Sequence, residues 1–166
     1  MKLTKILLIA LAAIFLLSES NNFTFAQEKK MNEKDVPTMV MNSFHKAYPK
    51  AEIKGISTET EKGKNYFEIE SVEGSKHIDL LISKTGQITE VEETIPVEQL
   101  PSRIMKALET EFKGLKIEKA EKVSHGAVTN YELLIENKTG KNEVKMDAAG
   151  KILKSEKVGK ESDKAD

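Results

Sequence analysis

The sequence predicts an α+β fold: a tandem duplicated αββββ repeat, an antiparallel sheet with the helices on one face. Three observations predict it. The phrase "VPTMVMNSFHKAY" at 36–48 returns as "LPSRIMKALETEF" at 100–112, with apolar residues, a proline and a closing aromatic in the same places. After each phrase the apolar period changes from that of a helix to the two-residue period of a strand. The halves also align without a gap at an offset of 64: Phe67 falls on Tyr131, Ile69 on Leu133, Leu80 on Val144 and Ile82 on Met146. A slip of one residue would turn those side chains to the wrong face of a sheet. A duplicated unit follows.

The elements can be justified in order. Lys2 and Lys5 precede "ILLIALAAIFLL", an apolar run that suits a signal-peptide core and is short for a membrane span. Residues 1–26 therefore read as a signal peptide ending at Ala26, and 27–34 as a linker. Val36, Val40, Phe44 and Tyr48 step by four, with Met41 beside them. Leu100, Ile104, Leu108 and Phe112 do the same, with Met105. Each set lines one face of an amphipathic helix. Pro37 and Pro101 suit the helix starts, and Pro49 and Gly114 the ends. Strands are expected at 51–60, 65–72, 76–83 and 87–93, and again at 115–123, 128–137, 141–147 and 151–157. "NKTGK" and "DAAGK" suit three-residue hairpin loops with a glycine at positive φ. The first repeat is 35–95 and the second 96–158, with "EETIPVEQ" linking them and a polar tail at 159–166.

Composition narrows the function. The chain has 26 basic and 27 acidic residues; setting aside Lys2, Lys5 and Glu19 leaves 24 against 26. Nucleic acid would want a strongly basic face, so it is not an expected partner. No cysteine is present, which excludes both a disulfide and a lipid-modified amino-terminal cysteine. The expected product is a periplasmic or secreted protein, freed of its signal, with no stable membrane insertion and with a fold held by packing alone.

The phrase "LPSRIMKALETEFKGLKIEKAEK", followed by "YELLI" and "VKMDAAGKIL", resembles the PepSY-like, β-lactamase-inhibitor-protein-like (BLIP-like) domains of exported bacterial proteins. Leu100, Pro101, Phe112, Ile117, Tyr131 and the turn from Asp147 to Lys151 carry the resemblance, and "VPTMVMNSFHKAYPKAEIKG" and "SKTGQI" repeat it in the first half. It spans about Asp35 to Val158. It implies small exported domains without catalysis, whose proposed roles are binding or inhibiting other proteins, peptidases and β-lactamases among them. It carries no defined set of contact residues.

Chemistry-bearing residues do not assemble into a catalytic pattern. His45, His77 and His125 fall on a helix, a strand and a turn, without metal-ligand spacing. The serines lack a nucleophile elbow. Glu68 and Glu132 are equivalent by repeat symmetry, and Glu90, Glu92 and Glu93 read as a solvated acidic strand end without a calcium-loop pattern. No enzyme activity, cofactor or metal is expected. The expected function is a non-catalytic binding module of the protein-binding or inhibitor type, its partner another protein, using the sheet face opposite the helices. Strand phase places Tyr66, His77, Leu81 and Leu134 on that face as the candidate partner surface, with Tyr66 foremost. The alternatives are an envelope protein that binds a small ligand or cation, and a structural or stress protein without a specific partner.

Overall fold

The stripe that begins at Val36 forms helix α1 (Thr38–Ala47), and its counterpart forms α2 (Ser102–Glu111). Pro37 and Pro101 sit at the N-caps, one residue outside the helices, where their carbonyls accept from Val40 and Ile104. The capping position spends nothing on the missing proline N–H. Tyr48 and Phe112 close the helices by donating to the carbonyls of Phe44 and Leu108. In the computed structural model the described residues are 29–61 and 63–158. The signal peptide and tail expected from sequence lie outside them.

Around the helices run β1 (Lys29–Lys30), β2 (Glu52–Glu61), β3 (Lys64–Glu73), β4 (Lys76–Ser83), β5 (Ile88–Thr94), β6 (Lys116–His125), β7 (Val128–Asn137), β8 (Gly140–Asp147) and β9 (Ile152–Lys157). They form one nine-stranded antiparallel sheet in chain order. The eight strands expected from sequence are all present, with ends shifted by up to two residues. The stretch 27–34, expected to be a linker, contributes β1, which pairs Lys29 and Lys30 with Thr58 and Ser57. Short 3-10 turns at Glu33–Asp35 and Val97–Gln99 obey the same offset of 64, so the duplication reaches upstream of the helices.

Each helix has its own core. Val36, Val40, Phe44, Ile56, Ile69, Ile78, Leu80 and Ile82 cluster under α1. Leu100, Ile104, Leu108, Tyr131, Leu133, Ile135, Val144 and Met146 cluster under α2. A fully buried Leu, Ile or Phe contributes about 1.5–3 kcal/mol by transfer from water, and these clusters supply what disulfides would otherwise have to. Phe67, expected in the core, is half-buried and packs at its margin.

The turns explain how the helices sit so close to the sheet. Gly86 and Gly150 have φ of 81° and 92°, and each lies against the start of its helix. A Cβ on Gly86 would stand 2.9 Å from the Met39 carbonyl oxygen, and one on Gly150 3.0 Å from that of Arg103. Both the left-handed backbone and the helix contact demand glycine. The "DAAGK" loop has the expected three residues and is fastened by Asp147, whose carboxylate accepts from the N–H groups of Ala149 and Lys151, both at 2.9 Å. "NKTGK" turns more tightly than expected. Asn137 pairs directly with Gly140, leaving a two-residue loop, because the Asn137 side chain accepts from the Thr139 N–H at 2.9 Å.

The two halves are joined through the sheet. Val91 pairs with Ser124, Glu92 with Val123 and Thr94 with Glu121. The linking segment expected from sequence is therefore partly strand, and its first two acidic residues, Glu92 and Glu93, lie inside the sheet rather than at a loose end.

Candidate functional site

Strand alternation sends Ile69, Ile78, Leu80, Leu133 and Val144 to the helices and the intervening residues to the other face. Among the described residues neither helix covers this second face. The four residues expected as a partner surface all lie on it. His77 is exposed, whereas Tyr66, Leu81 and Leu134 are half-buried. The structure does not gather them into one patch. Tyr66 opposes Ser83 and His77 opposes Val72, six residues further along β3, or about 20 Å. Leu81 on β4 and Leu134 on β7 are three strands apart, about 14 Å across the sheet, and the row of Leu81 meets β7 near Val128, six residues or about 20 Å along the strand from Leu134.

Carboxylates occupy the space between them. One row across the strands runs Glu70, Asp79, Glu92, Val123 and Asn130. A second runs Thr94, Glu121, Glu132 and Lys145. A third places Leu81 between Glu68 and Glu90. Val123 is fully buried although it belongs to neither helix core. The side chains of this face are dense enough to exclude water without a helix above them. Glu68 and Glu121 are themselves buried.

Crowding alters their chemistry. Burial, and then repulsion from Glu68, Glu70 and Glu121, pushes Asp79 up to about 7, with Lys119 opposing weakly. Glu92 is also driven far above the carboxylate range, first by burial, then by the charge of Glu121, to which it is hydrogen-bonded, and by Glu132 and Asp79. Around neutral pH the centre of the face therefore holds protons that ordinary carboxylates would have lost.

The second repeat treats its acids differently. Lys119 lies 2.5 Å from Glu121, and Lys145, itself largely buried, reaches Glu132 at 2.8 Å. In the first repeat the positions equivalent to Lys119, Lys145 and Lys154 hold Gly55, Leu81 and Glu90. Glu68 accepts from the Ser57 hydroxyl at 2.9 Å, and Glu90 meets His125 Nδ1 at 3.2 Å.

The acidic centre was missed in sequence because its members look like solvated strand residues one at a time. The available signal was their phase: Glu68 and Glu70, then Glu90 and Glu92, stand two apart and so share a face. Outside this face, His45 is exposed and packs edge-on against the Phe44 ring, 5.2 Å away. Among the described residues no group of three His, Asp or Glu side chains is arranged to hold a metal ion, and no helix is long and apolar enough to cross a membrane.

The sequence matches the family described as "Putative beta-lactamase-inhibitor-like, PepSY-like" twice, over residues 22–90 and 82–154. The chain belongs to this family. One match takes in α1 and the other α2, so the family unit occurs twice; the second match begins within β4 and includes β5 ahead of α2. Solved structures share the fold at low identity. A "putative periplasmic" protein of Bacteroides eggerthii is 15% identical with a TM-score of 0.61, covering 73% of this chain and 88% of its own. A DUF2874 family protein of Bacteroides uniformis is 14% identical with a TM-score of 0.59, over 73% and 88%. A BLIP-like protein of Bacteroides fragilis is 15% identical with a TM-score of 0.57, over 78% and 92%. No curated protein matches the chain.

Proposed function

We propose that this PepSY-like protein is an exported, non-catalytic binding module of the protein-binding or inhibitor type, and that it docks another protein on the open face of its sheet. The observation that carries this reading is the contrast between the faces. One is sealed by two helices, while the other is broad, is covered by no helix among the described residues and is centred on half-buried carboxylates held in strand register. Such a face presents fixed groups at strand spacing, which suits recognition of a surface. The fold shared with a protein described as "putative periplasmic" supports the exported compartment. Tyr66, His77, Leu81 and Leu134 become the rim and spacers of the docking surface.

The test is capture from the periplasmic and culture fractions, followed by mapping on the purified complex. Leu81→Arg and Leu134→Arg should abolish association, while Met39→Arg on the exposed side of α1 should not. Hydrogen exchange should slow on the open-face strands. Protection confined to α1 and α2, or a complex indifferent to both leucine variants, would overturn the reading. Export itself is checked by intact mass, with exported material expected to begin at or near Gln27.

A further inference from the structure

The docking reading leaves the chemistry of the partner open, and the two repeats supply an argument about it. We propose that the partner is basic and seats lysine or arginine side chains against Glu70, Asp79 and Glu92, where the first repeat holds Gly55, Leu81 and Glu90 in place of the second repeat's lysines. This rests on the open face being the docking surface.

The second repeat displays the solution within the same fold. Lys145 lies nearly buried on this face with its ammonium on Glu132, and Lys119 sits on Glu121. A lysine head group therefore fits among these strands and finds a carboxylate there. The first repeat keeps Glu68 where the second has Glu132, holds Ser57 in place of Glu121, and replaces the lysines, so Asp79 and Glu92 lean on Glu68, Glu70 and Glu121 instead. Thr94 adds an independent mark. It shares its strand face with Glu92, and its Oγ1 is buried without a hydrogen-bond partner. Polar atoms in that state are uncommon in folded proteins, and an ammonium group could donate to it.

Electrostatics predicts a signature for such docking. The groups facing Asp79 and Glu92 are Glu68 and Glu70 from β3, Glu90 from β5 with its partner His125, Glu121 and Lys119 from β6, and Glu132 from β7 with Lys145 from β8. Negative charge dominates that surround, so the free protein retains protons. An incoming ammonium favours the ionised carboxylates and expels those protons. Binding should release protons and tighten as pH rises through the range in which Asp79 titrates.

The experiment uses a hexalysine peptide as probe, with hexaglutamate as control, on the mature protein by titration calorimetry in buffers of different ionisation enthalpy. Hexalysine should bind, release protons, and gain about fivefold or more in affinity between about pH 6 and 8. Asp79→Asn with Glu92→Gln should weaken it by about tenfold, whereas Glu109→Gln with Glu111→Gln on exposed α2 should change it less than about twofold. Leu81→Lys, which installs the second repeat's lysine in the first, should weaken it as well. Equal losses in both double variants would mean unspecific attraction and overturn the proposal. So would tighter, proton-releasing binding of calcium chloride alone at the same carboxylates, which would mark an ion site instead. A partner captured on the open face whose affinity ignores pH and Asp79→Asn would overturn this inference while leaving the docking reading intact. A partner mapped to the helices would overturn both.

Discussion

The two repeats share a fold and differ in how they treat charge. In the second, lysines on β6 and β8 neutralise Glu121 and Glu132. In the first, Glu70 and Asp79 have no such lysine at the equivalent positions, and Glu92 faces them at the seam between the halves. The difference separates what duplication must keep from what it is free to change. Core positions and turn glycines obey packing and backbone sterics, which are the same in both units. The open face obeys neither, so its residues can diverge toward a task. A comparison of this kind makes claims that can be broken, beginning with the cores.

Phe44 and Leu108 occupy equivalent places, and both are fully buried. Phe44→Ala and Leu108→Ala should each cost on the order of 2–5 kcal/mol in denaturant unfolding, from lost burial and the cavity left behind. Thr38→Ala and Lys106→Ala, exposed on the same helices, should cost well under about 1 kcal/mol. If one core variant proved mild and its counterpart severe, the halves would not be energetically equivalent, and the sheet would be anchored by one helix.

The turn glycines come next. Gly86→Ala and Gly150→Ala force a left-handed backbone on alanine and press its methyl group into a helix carbonyl. A cost of about 1–3 kcal/mol is expected for each, with Gly86→Ala the larger because its Cβ would also stand 2.8 Å from Ser43 Oγ. Equal and negligible costs would mean that the helices can back away from the turns.

Much of this was legible in the sequence, for a physical reason. Phase and turn chemistry are local: Ile69 and Leu80 alternate with acids, Gly86 follows a turn residue, and a one-residue error would expose the whole set. Those signals located both helices, eight strands and the face on which Tyr66, His77, Leu81 and Leu134 lie. What stayed hidden depends on which strands meet. Glu92 reads as a solvated strand end until β5 pairs with β6 and sets it between Asp79 and Val123. Its burial and its conflict with Glu121 are products of that non-local pairing, and no window around residues 88–94 contains them.

The charge contrast itself can be tested on stability. Asp79 is raised from 3.8 to about 7 in the folded protein. Between those values the folded state binds more protons than the unfolded one, so stability should fall as pH rises from about 4 through 7. Asp79→Asn should remove this loss and stabilise the protein at about pH 8 by on the order of 1–2 kcal/mol, less than the full shift implies because the carboxyl is partly solvated. Lys145→Met should do the opposite, costing about 1–2 kcal/mol by stranding Glu132 without its cation. Urea unfolding of the three proteins across pH checks both signs. A flat pH profile in the parent protein would show that the acids of the first repeat are relieved by means other than retained protons.

The smallest effect concerns the residues that first suggested a partner surface. Tyr66 opposes Glu59 on one side and Ser83 on the other, and it is half-buried. Tyr66→Ala should therefore cost about 1 kcal/mol or less, and His77→Ala, from an exposed position, close to nothing. Their value lies in discriminating two kinds of docking surface. If recognition is dominated by aromatic contact, Tyr66→Ala should weaken the captured partner more than Asp79→Asn does, since tyrosine is favoured at interface hot spots. If the uncompensated acids of the first repeat dominate, the order reverses, and the Tyr66 variant loses about threefold or less. The second order is the one expected here. Tyr66 lies outside the rows that join Asp79, Glu92 and Glu121, whereas a partner that neutralises those groups must pass through the middle of the face.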